Sequence, residues 1–235
     1  MAYRLRNLVP WGRNYDEYTK MFGLSEDELH AKIAGFADGP ASFNAEHCHQ
    51  GGRVVSFDPI YRYSVDKVKL CLQEAKRLMF EHICKNTCLD ESTAAINIDE
   101  LEKHHTGATQ TFLDDYEKGK AEGRYIDHEM PFRIPFPDNS FDLGLSSHFL
   151  MLYPKLGINF HIQAMEEMLR LCHEIRLFPT VDTTGKHTGL TDKLIGHFCD
   201  DYKVTLQKTA CHYMNGANEM LVICKKGETS PSRLH

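Results

Sequence analysis

Apolar residues recur three or four positions apart at Val65, Val68, Leu72, Ala75, Met79 and Ile83, which predicts an amphipathic helix over residues 64–85 with one buried stripe and a solvated charged face. The same spacing at Ile162, Met165 and Leu169 predicts a helix over 162–171, and a third follows near 190–198. Short apolar runs bounded by Gly and Pro predict strands: one opening at Lys32, then 54–58, 141–146 and 174–178, the last closed by Pro179. Two alternating runs, 202–208 and 219–224, are joined through Met214-Asn215-Gly216-Ala217-Asn218, with Gly216 in the turn. Strands alternating with helices build a parallel sheet with helices on both faces. The polar stretch 99–123, anchored by Leu101, Phe112 and Tyr116, is expected as an inserted helix over a sheet edge.

Ahead of the first strand lies an extension, residues 1–30, punctuated by Pro10-Trp11-Gly12-Arg13-Asn14. Residues 15–22 suit a short helix, and Ser25-Glu26-Asp27-Glu28 has the form of a capping box, Ser25 the cap and Glu28 reaching back. The main domain then spans 31–226 and a polar tail 227–235; 235 residues suffice for one sizeable core.

Chemistry enters at Lys32-Ile33-Ala34-Gly35-Phe36-Ala37-Asp38-Gly39-Pro40-Ala41-Ser42-Phe43. A strand runs into a tight turn of small residues, a helix starts over 42–49, and a second strand ends on Asp58 about 20 residues past the turn, the layout of a nucleotide-type cofactor site. Small residues let a ligand lie against the backbone, and Gly39 tolerates angles that other residues resist. An adenosine cofactor is expected, with Asp58 accepting from both ribose hydroxyls.

The run 130–148 contains IPFPDNSFDLGLSS. It resembles the turn that feeds the fourth strand of class I S-adenosylmethionine-dependent methyltransferases, and the likeness extends from about Lys32 to Lys226. DGPASFNAE, SSHFLMLY, NFHIQAMEEMLRL and EIRLFP resemble one bacterial subfamily of that class. The resemblance implies a mostly parallel, seven-stranded Rossmann-like sheet with helices on both faces, a C-terminal antiparallel hairpin and an N-terminal helical extension. It also implies S-adenosylmethionine as cofactor, held by Gly35, Phe36, Ala37, Asp38, Gly39, Pro40, Asp58, Pro59, Glu129, Ser146 and Ser147, with Glu129 near the adenine. His148, just past the fourth strand, is the candidate catalytic base, because histidine accepts a proton near neutral pH. Trp11, Arg13, Tyr15 and Tyr18 are lid or substrate candidates on an extension that commonly closes the pocket in this class, or simply pack it onto the domain; Tyr153 and His161 are weaker substrate candidates. Two positions depart from the family pattern: Gly35 stands where an acidic residue ends the first strand, a duty that passes to Asp38, and Ala37 replaces the first glycine, tolerable at negative φ.

A net charge of −6 and a pI near 6.1 argue against a nucleic-acid partner. Neither an NPPY-like tetrad nor a Pro-Cys nucleophile occurs, so elimination favours a small-molecule methyl acceptor. The alternative is a non-catalytic cofactor-binding or scaffold protein on the same fold. A nicotinamide oxidoreductase is disfavoured by the PFPDNSFD segment. No apolar run approaches the roughly 20 residues that span a bilayer, and the first residues lack a signal-peptide core, so the expectation is a cytoplasmic protein without a membrane partner. The eight cysteines suit reduced thiols, with Cys71, Cys84 and Cys88 on a predicted helix and Cys211 and Cys224 in predicted strands. His47-Cys48-His49, Cys84 with Cys88 and His104-His105 lack zinc spacing, and no metal is expected. The oligomeric state is not legible in the sequence.

Overall fold

The computed structural model describes residues 12–87 and 98–227, with side chains over 12–78, 106–214 and 216–227. Trp11 and the side chains of Met79, Ile83, Cys84, Cys88, Leu101, His104 and His105 lie outside the described residues, as does the tail beyond Gly227.

The strands are β1 (Lys32–Phe36), β2 (Arg53–Phe57), β3 (Tyr125–Ile126), β4 (Phe141–Ser147), β5 (Cys172–Phe178), β6 (Tyr202–Lys208) and β7 (Glu219–Lys225). They form one sheet in the order β3-β2-β1-β4-β5-β7-β6. The first five run parallel, while β7 pairs antiparallel with both β5 and β6. This is the mixed α/β architecture expected from the sequence. The helices are α1 (Tyr15–Phe22), α2 (Phe43–His49), α3 (Val65–Thr87), α4 (Ile98–Ala121), α5 (Ile158–Leu171) and α6 (Leu190–Phe198). None is long and apolar enough to cross a membrane among the described residues.

Strand alternation divides the core. Ala34, Phe36, Ile175, Leu177, Leu221 and Ile223 face α5 and α6, and Ile33, Leu143, Leu145, Met220 and Val222 face α1 and α2. A third cluster, Tyr61, Val68, Leu72, Phe112, Tyr116 and Tyr125, packs α3 and α4 beside β3. The stretch 99–123 is therefore a helix at the sheet edge. Its exposed partner α3 keeps Val68 and Leu72 inside, as the apolar stripe requires.

The IPFPD turn owes its shape to α5. Arg170 donates to the carbonyls of Ile134 (2.9 Å) and Phe136 (2.8 Å) and to Asp138 (2.7 Å), while Glu167 accepts from Ile134 N at 2.6 Å. The turn is thus fixed by one arginine fork and one carboxylate, and it delivers β4 into the centre of the sheet.

The extension is docked into the domain. Asn14 caps α1 through a reciprocal pair with Glu17, which the sequence reading passed over, and Ser25 and Glu28 make the expected reciprocal bonds over a short 3-10 turn. Buried Arg176 on β5 donates to Phe22 O at 2.7 Å and pairs with Glu28 of the extension and Glu174 of its own strand. Tyr18, Met21 and Phe22 are fully buried beneath it.

Candidate functional site

The carboxyl ends of β1, β2 and β4 meet around the loop Ala37-Asp38-Gly39. Ala37 N donates to Phe57 O (2.8 Å), Gly39 N donates to Asp58 Oδ2 (2.9 Å), and Tyr61 Oη donates to Gly39 O (2.9 Å). Both ends of the turn are thereby latched to β2 and the residues after it. Gly39 has φ 54, and a side chain built there would project into open space. Ala37 also adopts positive φ, at 58, so the condition under which alanine replaces the glycine without strain is not met. For a non-glycine residue that conformation costs about 1–2 kcal/mol, so the turn is held by its bonds rather than by local preference.

Asp38 returns towards Gly35. Its carboxylate folds back over the strand, so that a Cβ on Gly35 would meet Asp38 Oδ2 at 1.7 Å. Ser56 Oγ donates to that oxygen at 2.6 Å, and Tyr18 Oη donates to Oδ1 at 2.8 Å. Ser56 in turn accepts from Asn44 Nδ2 at 3.0 Å, and Asn44 Oδ1 accepts from Arg124 Nη1, which is anchored on Asp115. A polar chain therefore runs from the loop beneath α2 to the sheet edge.

Asp58 receives two backbone donors, Gly39 N on Oδ2 and Ile60 N on Oδ1, the second capping a 3-10 turn that begins at Pro59. Burial raises the Asp38 carboxyl to about 6 and that of Asp58 to about 7, in Asp58 against the lowering effect of its amide donors. Among the described residues neither acid is paired with a cation. Two buried carboxylates without counter-ions thus lie on either side of Gly39, whose own Cβ position opens on free space, and a carboxylate so placed can accept hydrogen bonds from a ligand that brings its own donors.

Ser146 Oγ donates to Phe36 O at 3.1 Å and so ties β4 to β1; it is spent in the sheet. Ser147 Oγ lies 3.2 Å from Tyr18 Oη and does face the loop. Phe36 is fully buried with its ring stacked on Phe57, which makes it a core residue. Pro40 shapes the far side of the turn, with its carbonyl packed against Gly12. Glu129 sits on the loop after β3, 4.0 Å from Arg62, which binds Asp127 at 3.0 Å.

His148 follows β4 at φ 53, its backbone N bonded to Phe178 O at 2.7 Å. Its ring stands edge-on to Phe178 and Tyr213, and Nε2 lies 3.5 Å from Nη2 of Arg13. Arg13 reaches this point from the extension, its other nitrogen held by Glu17 at 2.9 Å. Tyr153, half-buried, has its hydroxyl pKa raised by burial. Tyr15 stacks on Phe43 and His47, which spends it in packing α1 on α2 rather than as a lid. His161 is fully buried, with Nδ1 2.7 Å from Gly157 O and Nε2 2.9 Å from Leu150 O. It braces α5 against the loop after β4 and has no nitrogen left for a substrate, contrary to expectation.

Sequence reasoning passed over Ser56, Tyr61 and Tyr213. Tyr61 carried a usable signal, three residues past the strand-end acid; Tyr213 is brought in by the β6–β7 connection from 65 positions beyond His148. Among the described residues no cluster of His, Cys, Asp and Glu could hold a metal ion, and the described cysteines are free thiols, with Cys211 in the connection after β6 rather than in a strand.

No family model matches the chain. Uncharacterized protein MJ0045 of Methanocaldococcus jannaschii is 33% identical over 223 residues, covering 93% of this chain and 97% of the relative. That relative is archaeal, whereas the finer sequence features resemble a bacterial subfamily. Among solved structures, a SAM dependent methyltransferase from Aquifex aeolicus aligns with TM-score 0.41 and 13% identity, covering 94% of this chain and 91% of its own. The PH0226 protein from Pyrococcus horikoshii aligns with TM-score 0.47 and 12% identity over 90% and 91% of the two chains. Scores and identities this low leave the site to be read from its own residues.

Proposed function

The chain belongs to the family of the uncharacterized Methanocaldococcus jannaschii protein MJ0045, and on that premise we propose that it is an S-adenosylmethionine-dependent methyltransferase with a small-molecule acceptor. The observation that carries this reading is the return of the Asp38 carboxylate into the space over Gly35, which restores an acid at the end of β1 where the sequence has none. With Asp58 at the end of β2 and the open face of Gly39 between them, the crevice has one acid for each polar end of such a cofactor. Asp58 would take the ribose hydroxyls, Gly39 and Pro40 the contact with the backbone, and Asp38 the methionine amino group. The bound cofactor would supply an electrophilic methyl group on a sulfonium.

The chain's own part is to hold the acceptor in line and exclude water, since positioning accounts for most of the acceleration available to a displacement of this kind. His148 stands at the carboxyl end of β4, flanked by Phe178, Tyr213 and the Arg13 guanidinium. We assign it the removal of a proton from an acceptor that arrives protonated. The half-enclosed aromatic surroundings suit a small molecule better than a polymer. Location in the cytoplasm is in keeping with free thiols.

Calorimetric titration with S-adenosylmethionine and S-adenosylhomocysteine tests the reading. Binding of both, lost on Asp58→Ala in a folded protein, is the expected result. No binding of either ligand overturns it. Binding without turnover on any acceptor would favour the non-catalytic alternative.

A further inference from the structure

We propose that His47 is an acid-operated latch on the N-terminal extension: the neutral imidazole seals α1 and the turn before β1 onto α2, and protonation releases them. The residue is 3% exposed, and among the described residues neither ring nitrogen has a hydrogen-bond partner. Its surroundings are those of an apolar side chain. The ring lies nearly parallel to Phe43, at 5.3 Å between centroids and 8° between planes, and stacks on Tyr15 of α1 at 5.8 Å. The backbone at Gly52 closes against it, so that a Cβ there would meet Nε2 at 2.2 Å. A neutral imidazole carries one N–H donor, and a buried donor without a partner costs stability, whereas an apolar ring would fill the same space without that cost. What the imidazole adds is a charge that is switched on near neutral pH.

That charge arises in the seam between the extension and the domain, where Tyr15, Leu29 and His30 of the extension meet the ring. Burial lowers the His47 pKa from 6.5, His30 lowers it further, and the Leu29 carbonyl works against both. The other charged groups of the elements packed here are committed elsewhere. Glu46 on α2 accepts from Tyr15 N and Ser42 Oγ, Arg53 at the start of β2 donates to His30 O at 2.7 Å, and His30 Nδ1 lies 2.9 Å from Glu26 O. An imidazolium formed here is uncompensated, and separating α1 from α2 exposes it to water. Because the folded value lies below the unfolded 6.5, the stability contributed by the neutral ring is present above pH 6.5 and is lost as the pH falls through the folded value. This slope is opposite to that of the buried acids Asp38 and Asp58. Release reaches the crevice, since α1 also carries Tyr18, whose ring stacks on Phe43 at 4.5 Å and whose hydroxyl donates to Asp38. Nothing in the latch depends on which ligand the crevice takes.

Hydrogen exchange of the full chain, read as amide protection factors at pH 7.5 and 5.0 in wild type and His47→Phe, tests the latch. The variant keeps the stacked ring and removes the charge. Protection over α1 should fall at least about threefold more in wild type than in the variant, while β4 and β5 change alike in both. The His47 imidazole of the wild type, followed by NMR, should titrate below pH 6.5. An equal fall over α1 in the two proteins overturns the proposal, as does a His47 that titrates at or above 6.5. A fall in the wild type spread equally over α1, β4 and β5 makes the residue a support of the whole fold and overturns local release. Should His47→Phe not fold, the comparison of α1 with β4 and β5 within the wild type, together with the NMR titration, decides in the same way.

Discussion

Asp38 and Gly35 share one space: the carboxylate of the first lies where a side chain on the second would begin, 1.7 Å from its ideal Cβ. Asp38 lies three residues beyond Gly35 and returns to the strand end by folding back. The two positions should therefore behave as one site. Gly35→Asp alone sets two carboxylates in one buried volume and should destabilise the fold by about 3 kcal/mol or more, through overpacking and like charge. Asp38→Gly alone should fold and lose cofactor affinity. The double variant Gly35→Asp/Asp38→Gly should recover stability relative to Gly35→Asp and affinity relative to Asp38→Gly, read by thermal melting and calorimetry. Additive losses in the double variant would show that the carboxylates are not equivalent.

Stability and ligand affinity should respond to pH in opposite senses. The carboxyl groups of Asp38 and Asp58 are raised by burial to about 6 and about 7, above the 3.8 of a free side chain. Between pH 4 and 7 the folded state consequently binds more protons than the unfolded state, and stability falls as pH rises through the folded values. The contribution is complete below about pH 4 and lost above about pH 7, and for each acid it is on the order of 3 kcal/mol. A ligand that donates to these groups needs them ionised, so its affinity should climb over the upper part of the same interval. Denaturant melts of the ligand-free protein and titrations at pH 5.5 and 8 check both slopes. Asp58→Asn should flatten the stability profile.

The alternation of helices and strands, the boundaries of α1 and α6 and the run of β4 were legible in the sequence, because periodicity and turn residues are local signals. The two-residue β3 was not, since Tyr125 and Ile126 have no pattern of their own and are defined by pairing with β2. Asp58 stood out at its spacing from the glycine turn. The backward fold of Asp38 could be raised as a substitution for Gly35, but its partners Tyr18 and Ser56 come from an extension and a strand 20 and 18 residues away. His161 looked available because it follows His148 and Tyr153 on the same side of the sheet. Its burial depends on how α5 packs beneath the loop after β4.

Ala37 adopts φ 58 without the freedom of glycine. Ala37→Gly should stabilise the ligand-free protein by about 1 kcal/mol, the strain relieved less the entropy added to the unfolded chain. Thermal melting measures it. No gain would mean that the loop relaxes in solution to a conformation alanine tolerates.

The Arg176 clasp should be the strongest single tie of the extension. The side chain is enclosed with Glu28 and Glu174 and also satisfies Phe22 O. Arg176→Ala leaves two buried carboxylates uncompensated and should cost about 3–5 kcal/mol. Arg176→Met with Glu28→Gln and Glu174→Gln, which removes the charges together, should cost much less. Denaturant titration separates the two, and comparable losses would deny the charges their part in the cost.

His148 combines a strained backbone with the role proposed for it. At φ 53 the residue is held outside ordinary backbone angles by its amide bond to Phe178 O, and that conformation turns its ring towards Tyr213 and Arg13. His148→Gly relieves the strain, about 1–2 kcal/mol, and forfeits ring contacts of similar size, so stability should stay within about 1 kcal/mol of wild type. His148→Ala keeps the strain, loses the same contacts and should be the less stable of the two. Both should retain cofactor affinity, because the ring lies beyond Ser147 and takes no part in the loop. Both should lose turnover of the methyl acceptor by about 100- to 10,000-fold if the imidazole removes its proton. Melting curves, calorimetry and S-adenosylhomocysteine release read the three quantities separately. Turnover in His148→Gly within about tenfold of wild type would leave the ring an orienting role and place the base elsewhere.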